Sequence, residues 1–253
     1  MRPIAIITGA SAGFGRATAI ALARNNYDVI ITGRRSDKLE LVEEAIRSKT
    51  EADVLSLTFD IRDKDAVKDA CDKLTGKWEA IDVLVNNAGL AAGLSHIHEG
   101  NVDDWEQMID TNIKGLLYIT RLISPGMAMR GKGHIINLGS VAGKEAYENG
   151  NVYCATKFAV DGLTQGMRLD LVESGIKVTA IHPGSAETEF SLVRFKGDAE
   201  KADKVYEGFT PLYAEDIAEA ILFTVTRPPH VNIDDMLIMP SAQARSRKFV
   251  RKN

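Results

Sequence analysis

The first two dozen residues already restrict what this chain can fold into. Pro3-Ile4-Ala5-Ile6-Ile7-Thr8 is a nearly unbroken apolar run. That composition suits a strand covered on both faces rather than one alternating between core and water. The run leads directly into Gly9-Ala10-Ser11-Ala12-Gly13-Phe14-Gly15, after which Ala17, Ile20 and Ala21 recur at helical spacing. Strand, glycine-rich turn and helix in immediate succession predict a phosphate cradle. Glycine lets the backbone turn tightly and approach a pyrophosphate, and the helix N-terminus offers unpaired N–H groups to the anion. The spacing is Gly-x-x-x-Gly-x-Gly, not the Gly-x-Gly-x-x-Gly of the common dinucleotide fingerprint.

The same alternation continues to the end of the chain. Asp28-Val29-Ile30-Ile31-Thr32 reads as a second strand and Val54 to Phe59 as a third, followed by a helix with Val67, Ala70, Cys71 and Leu74 on one face. Ile81 to Val85 is a fourth strand and ends in Asn86-Asn87-Ala88-Gly89. One long helical stretch then runs through Trp105, Met108, Ile109 and Leu116 toward a fifth strand near Ile135. A helix with Phe158, Leu163 and Leu169, a sixth strand at Lys177 to Ile181, a helix through Ile217, Ala220 and Ile221, and a seventh strand at Asp235 to Met239 complete the pattern. Strands alternating with helices predict an α/β, single-domain Rossmann fold over residues 1–253, with a seven-stranded parallel sheet and helices on both faces. Two regions interrupt the alternation. Ala91 to Asn101 is a loop with His96 and His98, too poor in further ligands to predict a metal site. The segment 185–210 lies where long insertions cover the carboxyl ends of such strands, so it is expected to be a substrate flap.

Two further signals concern chemistry. About 20 residues past the glycine turn, an acidic side chain would hold the ribose 2′-hydroxyl of NAD. Here Gly33 is followed by Arg34 and Arg35. Guanidinium forks suit a 2′-phosphate, so NADP is the expected cofactor, with Ser11 adding a hydroxyl to the same phosphate. Tyr153 and Lys157 stand four apart, which on a helix puts both on one face. A phenol titrates near pH 10 and is a poor base near neutrality; a neighbouring ammonium favours the phenolate, so Lys157 is expected to lower the Tyr153 pKa. Ser140 follows the apolar run His134 to Leu138 and is placed to hydrogen-bond a substrate oxygen while the tyrosine moves its proton.

Thr8-Gly9-Ala10-Ser11-Ala12-Gly13-Phe14-Gly15, Asn86-Asn87-Ala88-Gly89, Ser140 and Tyr153-x-x-x-Lys157, in this order, resemble the short-chain dehydrogenase/reductase family. The resemblance implies that Asn112 completes a catalytic tetrad with Ser140, Tyr153 and Lys157 and anchors a water that relays protons. It implies that Asp60 and Ile61 contact the adenine and that Asn87, Ala88 and Gly89 pack by the adenosine ribose. Lys157 would hold the nicotinamide ribose, Pro183, Gly184 and Ser185 would border the nicotinamide, and Thr188 would hold its carboxamide. The stretches Ser140 to Tyr147, Glu187 to Asp198 and Asp234 to Pro240 are similar to NADP-dependent 3-hydroxy acid dehydrogenases, also described as serine or L-allo-threonine dehydrogenases. The expected substrates are therefore small 3-hydroxy acids and malonic semialdehyde, and the family resemblance implies a homotetramer. The alternatives are a broad carbonyl, diketone or pterin reductase of the same family, or an NADP-sensing protein without turnover; the latter usually has a damaged tetrad, and this one is complete.

A substrate carboxylate needs a cation. Arg194 in the flap is the first candidate and Lys144 the second, while Glu145 and Tyr147 are expected near the pocket, with Glu145 facing the ammonium of serine. Arg245, Arg247, Lys248, Arg251 and Lys252 crowd the chain end. A solvated end, or a strap across a neighbouring subunit, is expected there. A formal net charge of −4 argues against a general nucleic-acid partner. The early first strand leaves no room for a signal peptide, and no apolar run approaches the ~18 residues of a membrane span. The two cysteines, Cys71 and Cys154, suggest no disulfide framework. A cytoplasmic protein is the expectation.

Overall fold

The computed structural model describes residues 2–252. Seven parallel strands form one sheet in the order β3-β2-β1-β4-β5-β6-β7. They are β1 (Ile4–Ile7), β2 (Asp28–Gly33), β3 (Val54–Thr58), β4 (Ile81–Asn86), β5 (Gly133–Leu138), β6 (Ile176–Pro183) and β7 (Asp235–Ile238). The intervening helices are α1 (Gly13–Arg24), α2 (Ser36–Arg47), α3 (Lys64–Cys71), α4 (Val102–Ile109), α5 (Leu116–Arg130), α6 (Asn151–Leu171), α7 (Glu189–Arg194), α8 (Ala199–Lys204) and α9 (Ala214–Val225).

The continuous apolar runs are explained by cover on both faces. Ala5, Ile7, Val29, Ile31, Val83 and Val85 point into one buried cluster, shared with Ala19 and Leu22 of α1, Leu39 of α2 and Ile217 of α9. Ile4, Ile6, Ile30, Leu84 and Ile135 point into a second cluster, shared with Val67 of α3 and with Ile119, Ile123 and Met127 of α5. Successive strand residues thus serve opposite faces, as the pleat requires. In register, Ile7 pairs with Ile31 on one side and Val85 on the other. The chain leaves β1 toward β2 and β3, then returns to place β4 on the opposite side, so the direction of winding reverses between β1 and β4.

Three features depart from the sequence expectations. The single long helix expected through Trp105 and Leu116 is α4 and α5 joined by a π-helical turn, Asp110–Gly115. The segment 185–210 carries two short helices, α7 and α8. The chain end forms a two-stranded antiparallel hairpin, β8 (Gln243–Arg245) with β9 (Lys248–Phe249), folded back on its own subunit. This end is held within the chain through Gln243, which accepts from Ser185 N, and Phe249, which packs on Phe209. No helix among the described residues is long and apolar enough to cross a membrane.

Leu84 is fully buried in the central strand β4. Leu84→Ala should cost about 2–5 kcal/mol through lost burial and the cavity left behind. Denaturant midpoints would show it, and a loss well below 1 kcal/mol would mean that the helical layer closes over the gap.

Candidate active site

The cradle is built where β1 and β4 end side by side. Gly9 and Gly13 hold φ of +66° and +51°, the left-handed region that glycine enters without strain. Thr8 Oγ1 accepts hydrogen bonds from Asn87 N at 3.0 Å and Ala88 N at 2.9 Å. Asn87 Nδ2 donates to Thr8 O at 2.8 Å and Gly9 O at 3.2 Å. The two turns are thereby sewn together. Gly15 is buried at the start of α1, where a Cβ would strike Gly9 O and the Asn87 amide. Its contribution is close packing of the helix on the turn. Ala12 at the N-cap makes no side-chain bond, and the first turn of α1 holds no acidic residue. The N–H groups there are left for an outside anion.

A cleft of about 320 Å³ runs from this cradle to the first two turns of α6. Gly9, Ser11, Ala12, Gly13 and Phe14 line one end. Arg34, Arg35, Asp60 and Ile61 line the side, and Asn87, Ala88 and Gly89 form the floor. Tyr153 and Lys157 line it from α6, and Thr188 lines it against Gly13. Arg35 Nη2 donates to Ser11 Oγ at 3.1 Å and to Glu189 Oε2 at 2.9 Å. Arg34 Nη1 lies 3.8 Å from Asp60 Oδ2, which Arg62 holds at 2.6 Å. The mouth of the cleft beyond β2 thus carries two half-exposed guanidiniums beside the cradle. These residues fit a dinucleotide whose ribose bears a 2′-phosphate.

Tyr153 and Lys157 stand on one face of α6, both buried. The expected influence of Lys157 on Tyr153 is not met. Burial pushes the Tyr153 phenol well above 10, Tyr147 adds to the rise, and Arg194 and a Ser140 hydrogen bond oppose it. Burial pushes Lys157 down to about 8. Its ammonium donates to Leu138 O at 2.8 Å instead. Burial disfavours the charged form of each group, and at Tyr153 it outweighs the pull of the nearby cation.

Asn112 sits in the π-helical turn. Its Oδ1 accepts from Leu90 N at 2.8 Å, and its Nδ2 donates to Leu90 O at 2.8 Å and Thr156 Oγ1 at 3.0 Å. A Cβ added to Gly89 would lie 3.2 Å from Asn112 Oδ1 and 3.6 Å from Lys157 Nζ, so these groups converge on one point. Ser140 follows β5, and its Oγ accepts from Ala142 N at 3.1 Å. Ser140 N donates to Nδ1 of His182, a fully buried residue that the sequence reading did not single out. Its only sequence signal was its place before Pro183-Gly184.

A second cavity of about 370 Å³ opens beside Ser140 and Tyr153. Tyr147 and Arg194 form part of its wall. Pro183, Gly184 and Ser185 also line this cavity rather than the cradle cleft, whereas Thr188 lines both. Arg194 Nη2 donates to Tyr147 Oη at 2.7 Å, the guanidinium carbon is 4.8 Å from the Tyr153 ring centre, and its buried Nε has no partner among the described residues.

Two substrate candidates are otherwise engaged. Glu145 accepts from Ser246 N and pairs with Arg245 at 3.2 Å, so it anchors the chain end and does not face the cavity. Lys144 pairs with Asp161 at 3.0 Å and Asp235 at 2.6 Å. These two carboxylates and His182 form a group with metal-ligand spacing, and the Lys144 ammonium already bonds both carboxylates. His96 and His98 stack on each other with ring centres 5.7 Å apart. Arg247, in the turn between β8 and β9, lines the second cavity and was also missed.

Residues 3–198 match the family model described as short chain dehydrogenase. The chain belongs to the short-chain dehydrogenase family. An NADP-dependent 3-hydroxy acid dehydrogenase of Salmonella typhi is 48% identical over 242 residues, covering 95% of this chain and 96% of that one. A protein of the same description from Schizosaccharomyces pombe is 42% identical, covering 98% and 96%. The structure of a serine dehydrogenase in its closed form with NADP+ superposes with a TM-score of 0.93 at 42% identity, covering 99% of this chain and 100% of that one. In this dehydrogenase the cradle, the π-helical turn and the Tyr153 helix meet at one end of the sheet.

Lys157 provides a linkage test. Between about 8 and 10.5 the unfolded chain still binds the lysine proton while the folded chain has released it. Stability therefore rises with pH across that window. Wild type should gain stability over Lys157→Met between pH 8 and 10.5, read from denaturation midpoints. Parallel curves would show that Lys157 keeps its ordinary value.

Proposed function

We propose that the protein is an NADP-dependent oxidoreductase that interconverts a small 3-hydroxy acid, such as 3-hydroxypropionate, with its 3-oxo partner. The observation that carries this reading is Arg194. It brings a guanidinium, with an unpartnered buried N–H, to the Tyr153 ring in the cavity that Ser140 lines. A carboxylate bound there leaves a C3 oxygen within reach of the tyrosine. The descriptions of the relatives support the same substrate class.

NADP supplies the hydride acceptor in oxidation and the donor in reduction. The N-terminus of α1 and the glycine turn hold its pyrophosphate, and Arg34 and Arg35 hold the 2′-phosphate. Asp60 and Ile61 flank the adenine, and Asn87 to Gly89 the adenosine ribose. Lys157 takes the nicotinamide ribose, and Thr188, at the start of the flap, the carboxamide. Ser140 orients the reacting oxygen. Tyr153 moves the proton. With its phenol pushed above 10 by burial, Tyr153 is neutral at pH 7 and ready to protonate a carbonyl oxygen. Oxidation needs the phenolate, so its rate rises toward alkaline pH. The Asn112–Leu90 pair, beside Lys157, is placed to seat a relay water.

No Asp or Glu lines the second cavity among the described residues, so the ammonium of serine finds no carboxylate there. 3-Hydroxypropionate should therefore show a lower KM than L-serine. The homotetramer implied by the family fits exposed apolar side chains on α5 and α6, Leu117, Leu122, Phe158 and Leu169. The two unbridged cysteines fit a cytoplasmic location.

Absorbance near 340 nm follows the reaction directly. Tyr153→Phe should lower kcat by roughly 10²–10⁴-fold while NADP still binds. Retention of most activity would refute the proton-transfer role. Replacing Arg34 and Arg35 together by Ser should weaken NADP by at least about tenfold, with little change for NAD. Equal losses for both cofactors would remove the 2′-phosphate assignment.

A further inference from the structure

Three guanidiniums line the substrate cavity, and two of them, Arg194 and Arg247, come from separate segments of the chain to one tyrosine. Arg194 closes α7, and Arg247 sits in the turn of the chain-end hairpin. Both lie by the same ring: the Arg247 guanidinium carbon is 4.4 Å from the Tyr147 ring centre, and that of Arg194 is 5.9 Å from it. Arg194 also donates to the Tyr147 hydroxyl. Tyr147 therefore spaces two positive groups at the cavity wall, its π-face offsetting part of their mutual repulsion.

The other cations along this cavity are already engaged. Lys201 pairs with Asp198 at 2.9 Å and Lys204 with Glu200 at 2.6 Å. Arg251 donates to the carbonyls of Glu207 and Val205 and lies against Phe209 and Phe249. Arg247 makes no ion pair with a carboxylate among the described residues, and neither does Arg194.

The hairpin that carries Arg247 is fixed from three directions. Gln243 Oε1 accepts from Ser185 N at 2.8 Å, which ties it to the end of β6. Glu145 accepts from Ser246 N, which ties it to the segment after Ser140. Phe249 packs on Phe209 at 4.8 Å and Lys252 N donates to Gly208 O at 2.7 Å, which tie it to the end of the flap. Arg245 and Ser246, the residues just before Arg247, are thus held by the carboxylate that the sequence had offered to a substrate ammonium.

We propose that Arg247 is a specificity-determining residue which, together with Arg194, forms a two-sided clamp for the anionic group of the substrate. The chain-end hairpin then reads the acid jointly with the flap. A neutral carbonyl compound gains nothing from the clamp, whereas a carboxylate gains charge-assisted bonds from two directions. The inference rests on the 3-hydroxy acid reading.

The test compares two substrates in full-length Arg247→Gln, Arg247→Lys and Arg194→Gln variants. One substrate is 3-hydroxypropionate with NADP+ and the other is butane-2,3-dione with NADPH. Arg247→Gln should lower the acid-to-dione ratio of kcat/KM by roughly ten- to a hundredfold, the range for a lost hydrogen bond to a charged group. The loss should appear in KM for the acid, and Arg247→Lys should recover part of it. A fall in Arg194→Gln with an unchanged ratio in Arg247→Gln would overturn the clamp and leave the 3-hydroxy acid reading standing. Equal losses on acid and dione in Arg247→Gln would reduce Arg247 to a prop of the hairpin and also overturn the proposal. Wild type that reduces the dione but ignores the acid would remove both. Melting temperatures identify any variant that has lost its fold, and for such a variant Arg247→Lys decides.

Discussion

The bonds between Thr8 and Asn87 are the constraint on which the rest of the site depends. They join the ends of β1 and β4, the two strands between which the winding of the sheet reverses. Helices connect outward in both directions from this point, so a crevice must open above it. Gly9 and Gly15 let the backbone close tightly around that joint, and the N–H groups of α1 face the crevice because nothing in the chain caps them. A cleft for an anionic dinucleotide follows from that arrangement.

The chemistry beside the crevice is governed by burial. Tyr153 and Lys157 lie under the flap, and removal from water pushes both toward their neutral forms. A neutral phenol suits donation of a proton to a carbonyl oxygen. Lys157, lowered only to about 8, keeps its proton at pH 7 and donates to the Leu138 carbonyl. Arg194 and Ser140, which act on the tyrosine in the opposite sense, line the second cavity together with Tyr147, which adds to the rise. The two cavities share Phe14, Gly139, Tyr153, Thr188 and Phe190, so Tyr153 stands where they meet.

The flap and the chain end act as one cover. α7 begins with Thr188 against Gly13 of the cradle and ends with Arg194 in the substrate cavity. Arg35, at the cradle, reaches Glu189 of the same helix. The hairpin β8–β9 closes the far side through Phe209 and Gly208.

Much of this was legible in the sequence, because it depends on local periodicity and on residue types with one dominant use. Apolar runs with intervening helical spacing determined a parallel sheet covered on both faces. The glycine turn, the Arg34-Arg35 pair and the Tyr153/Lys157 spacing pointed to residues that the structure gathers around one cleft. Three things were settled only in three dimensions. The π-helical turn adds a residue to a helix whose apolar pattern reads as continuous, so the burial of Asn112 against Leu90 could not be read from spacing. The fate of Glu145 and Lys144 depended on which opposite charges folding brought to them, Arg245 in one case and Asp161 with Asp235 in the other. The direction of the Tyr153 shift depended on how much water the flap removes, because desolvation and nearby charge act in opposite senses and only packing decides which is larger.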